Sequence, residues 1–318
     1  MIQIVTKSGT IKNTDTLGSL TPLVDDIFVV VFIDYQNYYL HEISRILNLD
    51  LKIFDQESDL ETSSHLIETD SQYSIHLTIP VVKNKEDWQE KSYFIVGNEN
   101  FMAIFEEEEI GHRYFNTDTF LKLLLKNKQL KTSDALGLKI SMASDYFSDL
   151  TELMVKRTKA LAAEVLQSSK FSEKELDYIT RLNFHNMLIK ESQNEFQRLC
   201  NYFKNSSWEQ KFKLHKIIDH ELHELTAISE YIQFNFDRLN DLRENISNKI
   251  NVEQNYIFKY LTIVTLCLAL PTLIAGIYGM NFINMPELQF QYGYPLVLLV
   301  MLVSIIVPFV YFKRKKWF

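Results

Sequence analysis

The side chains of this 318-residue chain that are best suited to chemistry are oxygen and amide donors rather than nucleophiles. Asn255, Phe258, Thr262 or Leu261, Thr265, Ala269, Thr272 and Gly276 recur at steps of three or four, so a helix would carry them along one face. That face offers amide and hydroxyl oxygens without charge; helix packing in a membrane uses the same small residues and threonines. Glu106-Glu107-Glu108-Glu109, Asp25-Asp26 and the acids from Asp55 through Glu61 offer the oxygen ligands that magnesium or its waters accept. Each reads first as a solvated acidic face. His215, Asp219, His220, Glu221, His223 and Glu224 form a richer group, with Asp219 and His223, and His220 and Glu224, four apart. Such pairs can hold a borderline dication, but His220 and His223 are three apart, which is not the zinc-protease spacing. A solvated helix face is the better reading, with Asp219 the carboxylate of the group expected to serve as a metal ligand. No nucleophile with a nearby base, no phosphate-binding glycine loop and no cysteine-histidine cluster is present, so an enzyme is not expected.

The elements that must position these groups divide sharply by charge. The net charge is -8, nearly all the acidity lies before residue 258, and the end is almost uncharged until Lys313-Arg314-Lys315-Lys316. An acidic soluble part argues against nucleic-acid binding, which needs a basic face, and suits the handling of cations. Cys200 and Cys267 give no disulfide framework. The amino terminus lacks the basic start and apolar run of a cleaved signal, so this end is expected to stay in the cytosol. The stretches Leu261 to Ile277 and Tyr294 to Phe312 contain no charged residue, each close to the roughly 20 helical residues that cross a bilayer. The linking loop has no Lys or Arg while the tail has four in succession, so the tail is expected inside, the large amino-terminal region on the same side and the loop outside. Two spans thus predict a multi-pass protein of the cell membrane, in contact with the lipid bilayer, with both termini cytoplasmic.

Glycine and proline punctuate residues 1–137 and are absent from Leu138 to Leu270, which predicts a helical second half. Within the first part, Ile27 to Ile33 and Tyr73 to Val82 read as strands. Tyr93 to Val96 and Phe101 to Phe105 read as a hairpin, and Leu40, Ile43 and Leu47 as a helix. The expected organisation is α+β with a membrane part: an α/β domain over 1–137, a helical segment over 138–206 that breaks near Ser172, and a stalk helix over 207–256. A first span over 257–278, an outer loop over 279–293, a second span over 294–312 and a basic tail over 313–318 complete it. Leu214, Ile218, Leu222, Leu225, Ile228, Ile232, Phe236, Leu239, Leu242, Ile246 and Ile250 form one apolar seam. A single helix from Trp208 to Tyr278 would be about 105 Å long, and its seam asks for oligomeric partners.

Tyr278-Gly279-Met280-Asn281-Phe282 resembles the signature of the CorA family of magnesium and cobalt channels, in which Gly-Met-Asn closes the first of two carboxyl-terminal spans. Leu261 to Thr265, Ala275-Gly276-Ile277, Met285 to Leu288 and the basic end with Trp317 match as well. The resemblance is specific over Asn255 to Phe318 and architectural before that. It implies a homopentameric funnel with a pore-lining first span, passing Mg2+ and also Co2+ down the electrochemical gradient and closed by intracellular magnesium. It implies a selectivity filter of Gly279, Met280 and Asn281, a polar ring at Asn255 and a hydrophobic constriction at Phe258 and Leu261. Magnesium gives up its water reluctantly, so a fast pathway holds the hydrated ion. The amide oxygen of Asn281 accepts hydrogen bonds from those waters without a fixed charge that would trap a dication. Phe258, Ala269 and the position of Pro271 depart from the family pattern and leave the width of the inner gate open. Glu287, the sole acid of the loop, either concentrates dications at the mouth or is simply solvated. Two alternatives remain: a zinc transporter of the same superfamily, which Met280 disfavours, and a non-conducting, membrane-tethered helical sensor or scaffold.

Overall fold

β-branched and aromatic runs build a seven-stranded sheet at the amino-terminal end of the chain, ordered β2-β1-β3-β7-β6-β5-β4. The strands are β1 (Ile2–Thr6), β2 (Ile11–Thr14), β3 (Ile27–Ile33), β4 (His65–Glu68), β5 (Tyr73–Val82), β6 (Trp88–Gly97) and β7 (Met102–Glu106). These and the helices below are taken from a computed structural model that describes residues 1–34, 40–50, 64–84, 87–106, 115–126, 130–167, 171–280 and 285–315. Only β3 and β7 pair in parallel; the other neighbours are antiparallel, including the expected β6–β7 hairpin. Every residue of β3 is buried, as the unbroken apolar run Ile27 to Ile33 requires of a strand covered on both faces. One face packs Ile4, Val30, Phe32, Phe94 and Phe105 with Ile43 and Leu47 of α1 (Leu40–Leu47). Across five strands the rings of His65, His76, Phe94, Phe105 and Phe32 stack with successive centroids 4.4, 5.1, 4.2 and 4.8 Å apart, cross-strand pairs that pin the register. β4 pairs with β5 from Tyr73 to His76, so Pro80, which has no N–H to give to a ladder, lies past the end of that pairing.

The helices are α2 (Thr117–Leu124), α3 (Thr132–Gln167), α4 (Glu173–Lys204), α5 (Ser207–Phe212), α6 (His215–Tyr278) and α7 (Gly293–Arg314). The break between α3 and α4 falls where serine predicted it: Ser172 donates its backbone N–H to Glu175 Oε2 at 2.8 Å, and its hydroxyl accepts from the Lys174 N–H at 3.4 Å. Glu175 thus supplies the carboxylate half of a capping box, while the serine hydroxyl caps the second N–H of the helix. Contacts divide the chain into two units, Met1–Leu166 with Asp177–Leu242, and Gln167–Leu176 with Arg243–Phe318.

Two expectations about the long helix are corrected. It does not begin at Trp208: Lys213 takes a left-handed φ of 58°, which ends α5 and lets α6 start at His215. Trp208 is held instead by the sheet unit, donating Nε1–H to the Thr69 carbonyl at 3.2 Å and leaning on Tyr73. The seam also differs. The buried positions run Leu214, Ile218, Glu221, Leu225, Ile228, Ile232, Asn235, Leu239 and Leu242, a strict alternation of four and three that turns Glu221 and Asn235 inward where Leu222 and Phe236 were expected. Its partners lie within the same chain. Gln193 donates to the Leu225 carbonyl at 2.9 Å, Asn186 to the Ile232 carbonyl at 3.1 Å, and Ser141 to Glu221 at 2.7 Å. The seam is therefore satisfied by α3 and α4 and gives no argument for oligomerisation.

Candidate functional site

The carboxyl-terminal half of α6 carries an uncharged run from Tyr260 to Tyr278. Its three threonines satisfy their hydroxyl protons on their own helix. Thr262 donates to the Phe258 carbonyl at 2.8 Å, Thr265 to the Leu261 carbonyl at 2.8 Å and Thr272 to the Leu268 carbonyl at 2.7 Å. A hydroxyl has one proton and two lone pairs, so each oxygen is left as an acceptor toward anything that approaches from outside. Hydrated cations present only water protons, the complement of that surface.

Only Ile263, Cys267 and Pro271 are buried between residues 256 and 280, with Ile274 half-buried. On α7 the half-buried stripe is Gly293, Val297, Met301, Ser304, Pro308 and Phe312. Two antiparallel helices in contact give this pattern, each turning one stripe toward the other. At about 100° per residue, Asn255, Phe258, Leu261, Thr262, Thr265, Ala269, Thr272 and Gly276 centre roughly 180° away from the buried stripe of α6. All eight are exposed in the single chain, with Phe258 and Leu261 63% and 60% accessible. The predicted polar face is thus the side of the helix that α7 leaves uncovered. Pro271 lacks the N–H that would bond the Cys267 carbonyl, and both residues sit on the buried stripe, away from that face.

The helix closes with Gly279 N–H on the Ala275 carbonyl at 2.9 Å and Met280 N–H on the Ile277 carbonyl at 3.2 Å. A Cβ on Gly279 would stand 3.1 Å from the Ala275 carbonyl oxygen, so glycine fits this tight helix end. Asn281 lies outside the described residues, as does Lys316. Glu287 falls in a 3-10 turn, Pro286–Gln289, while Lys313 and Arg314 end α7 and Lys315 caps it.

Among the described residues the candidate regulatory ligands do not assemble: no three His, Cys, Asp or Glu side chains come together as a metal site. Asp219 pairs with Lys204 at 2.7 Å and His215 at 3.1 Å, and the Lys204 hydrogen bond holds its carboxyl below the usual range. Glu221 turns into the seam, where it joins Asp149 and Glu224 in raising the Asp145 carboxyl, after burial as the leading cause. Asp25 and Asp26 are exposed at the end of a 3-10 turn; Glu107 to Glu109 and Asp55 to Glu61 lie outside the described residues.

Glu106 is no surface ligand. Its side chain is fully buried, accepts from Thr117 Oγ1 at 2.9 Å and stands 3.8 Å from the equally buried Lys139 ammonium. The rings of Tyr93, Phe115 and Phe120 surround Lys139 Nζ at 5.2, 4.9 and 4.6 Å. The period of two in β7 puts Glu106 on the same side as Met102 and Ile104, a sign that it points inward; Lys139 carries no comparable local signal.

Residues 29–314 match the model of the CorA-like Mg2+ transporter proteins. The magnesium transport protein CorA of Wolinella succinogenes is 28% identical over 285 residues, 86% of each chain. That of Helicobacter pylori is 44% identical over 96 residues, 30% of each chain. The fold is that of the complete CorA magnesium transporter from Methanocaldococcus jannaschii, with a TM-score of 0.75 at 16% identity over 100% of this chain and 99% of the other. The full-length CmaX protein is similar too, with a TM-score of 0.69 at 14% identity over 99% and 97%. The chain belongs to the family of CorA-like Mg2+ transporter proteins.

Proposed function

We propose that this chain is one subunit of a channel that admits hydrated Mg2+, and Co2+ as a second cargo, through the cell membrane. The observation that carries the reading is the uncovered face of α6, opposite the α7 stripe, whose threonine oxygens are left as acceptors. Copies of that face arranged about an axis form a neutral polar lining, which passes a dication without binding it too tightly to leave. A homopentamer is the assembly the family resemblance implies, with the flanks Ile257, Val264 and Leu268 on one side and Leu266, Leu270 and Leu273 on the other exposed for neighbours.

In this reading Gly279, Met280 and Asn281 form the outer filter, and Asn255, Phe258 and Leu261 the inner mouth and constriction. Glu287 attracts dications outside, and intracellular magnesium closes the pore. The basic end of α7 lies in the cytosol, and so does the amino-terminal unit. Asp219 serves first as an ion-pair partner of Lys204, and a regulatory metal would have to displace that lysine.

The test is dication flux into liposomes holding the purified protein, with Asn281→Ala beside it. Magnesium influx that falls at least tenfold in the variant supports the filter. Wild-type protein that conducts no magnesium or cobalt overturns the channel, and zinc-selective, proton-driven uptake replaces it with the zinc-transporting alternative.

A further inference from the structure

The charges of the membrane part are confined to its two ends. From residue 254 to residue 315 they are Lys259, Glu287, Lys313, Arg314 and Lys315. Glu287 lies in the connection between the helices, whereas the four cations lie at the far end. Their levels agree. Tyr278 and Tyr294 line one cavity of about 660 Å³ at the connected end. Nineteen residues separate Tyr278 from Lys259, and nineteen separate Tyr294 from Lys313. At 1.5 Å per residue both run about 28 Å, so Lys259 and Lys313 stand at one depth.

All four cations are exposed. The Lys259 ammonium lies 5.4 Å from the Tyr256 ring centroid, and among the described residues no carboxylate pairs with any of the four. Tyr256, Tyr260 and Tyr311 surround that level, each more than half exposed. Amphipathic rings with unneutralised cations match the headgroup region of a bilayer, where lipid phosphates supply the missing charge. Around α6, Lys259 sits roughly a quarter turn from the stripe that meets α7 and off the polar face. It is also the next residue after Phe258.

We propose that Lys259, with Lys313, Arg314 and Lys315, clamps the phosphate headgroup of an anionic phospholipid, and that this contact supports the conducting arrangement of the neighbouring Phe258 constriction. The consequence for conduction rests on the channel reading above; the lipid contact does not. Two readouts on the full-length protein separate them. In the first, protein purified in detergent is offered phosphatidylglycerol and phosphatidylcholine in equal amounts, and the lipid it retains is identified by mass spectrometry. Wild type keeps phosphatidylglycerol preferentially, and Lys259→Gln reduces that preference about fivefold, the equivalent of the roughly 1 kcal/mol one such cation gains at an anionic surface. Lys249→Gln, a lysine further down α6 whose ammonium lies over Phe171, leaves the preference intact. Equal retention of the two lipids by wild type, an unchanged preference in Lys259→Gln, or displacement of the lipid by inorganic phosphate overturns the clamp.

In the second readout, magnesium influx is compared in vesicles of phosphatidylcholine with and without phosphatidylglycerol. Wild type conducts several-fold faster with the anionic lipid and Lys259→Gln equally in both. Lipid preference without any lipid-dependent flux overturns the coupling to Phe258 alone; no flux in either vesicle fails the channel reading and leaves the retention result standing.

Discussion

The buried Glu106–Lys139 pair shows how a single position can mislead and then inform. Burial pushes the Lys139 ammonium down to about 8, against the opposing pull of Glu106. An unfolded lysine titrates near 10.4, so between those values the unfolded chain holds the extra proton. This group's contribution to stability is therefore flat below about pH 8, rises through that window and is complete above it. Thermal unfolding in detergent at pH 7.5 and 9.5 is expected to show the rise, and Lys139→Met to remove it. Glu106→Gln leaves the ammonium with aromatic faces alone, and breaking a buried pair from one side costs about 3–5 kcal/mol. The double variant Glu106→Gln with Lys139→Met is expected to recover most of that loss; equal instability of single and double variants would count against the pairing. Asp145 gives the opposite sign. Its carboxyl is raised by burial and by Glu221, Asp149 and Glu224, so its charge is unwelcome at neutral pH. Asp145→Asn is expected to stabilise by roughly 0.5 kcal/mol, discounted for solvent screening, with the gain vanishing in acid.

Among the elements, those with a local cause were legible and those fixed by a distant partner were not. Ile27 to Ile33 reads as a strand because a doubly covered strand is apolar throughout, and Ser172 marks the start of α4 because its cap is local. Gly137 carries the opposite lesson. Taken as the last glycine of the punctuated region, it lies inside α3, where a Cβ would meet Ile217 Cδ1 at 3.1 Å and Leu214 Cδ2 at 3.2 Å, so it serves close packing against α6. The seam was displaced at Glu221 and Asn235 because Ser141 and Asn186 reward polar groups there, and apolar periodicity does not register such partners. Asn235 donates to Asn186 Oδ1 at 3.3 Å in a buried setting. Asn235→Ala is expected to cost about 1–3 kcal/mol through the acceptor left unpaired, read as a lowered unfolding temperature. The break before α6 escaped notice for lack of a glycine. Lys213 pays the left-handed strain itself, which is about 1–2 kcal/mol for a residue with a Cβ. Lys213→Gly is accordingly expected to hold stability or raise it slightly, whereas Lys213→Pro, whose ring fixes φ near −65°, is expected to disrupt the junction. Of the candidate site, the polar face of α6 was readable from spacing alone, while its being left uncovered depended on where α7 lies.

For the whole molecule the decisive question is whether that uncovered face conducts or merely packs, and a substitution that preserves shape can separate the two. Valine matches threonine in volume but exchanges the hydroxyl for a methyl group. At Thr265 and Thr272 the hydroxyl proton is already spent on the helix, so neither helix formation nor steric fit depends on it. If these positions only pack against neighbouring subunits, Thr265→Val and Thr272→Val should assemble and conduct as the wild type does. If their oxygens accept from the water shell of a passing ion, each loses a hydrogen bond from a group polarised by a dication. Such bonds are worth about 1.5–3 kcal/mol, and magnesium flux is expected to fall roughly tenfold or more with no change in oligomer size or unfolding temperature. Thr265→Ser restores the oxygen and with it the flux. Ile263→Val, on the stripe that meets α7, makes the reverse comparison: it removes a buried methylene, lowers stability by about 0.5–1.5 kcal/mol and leaves flux per assembled channel unchanged. Only a conducting face produces both outcomes together, because it alone separates the chemistry of one side of α6 from the packing of the other.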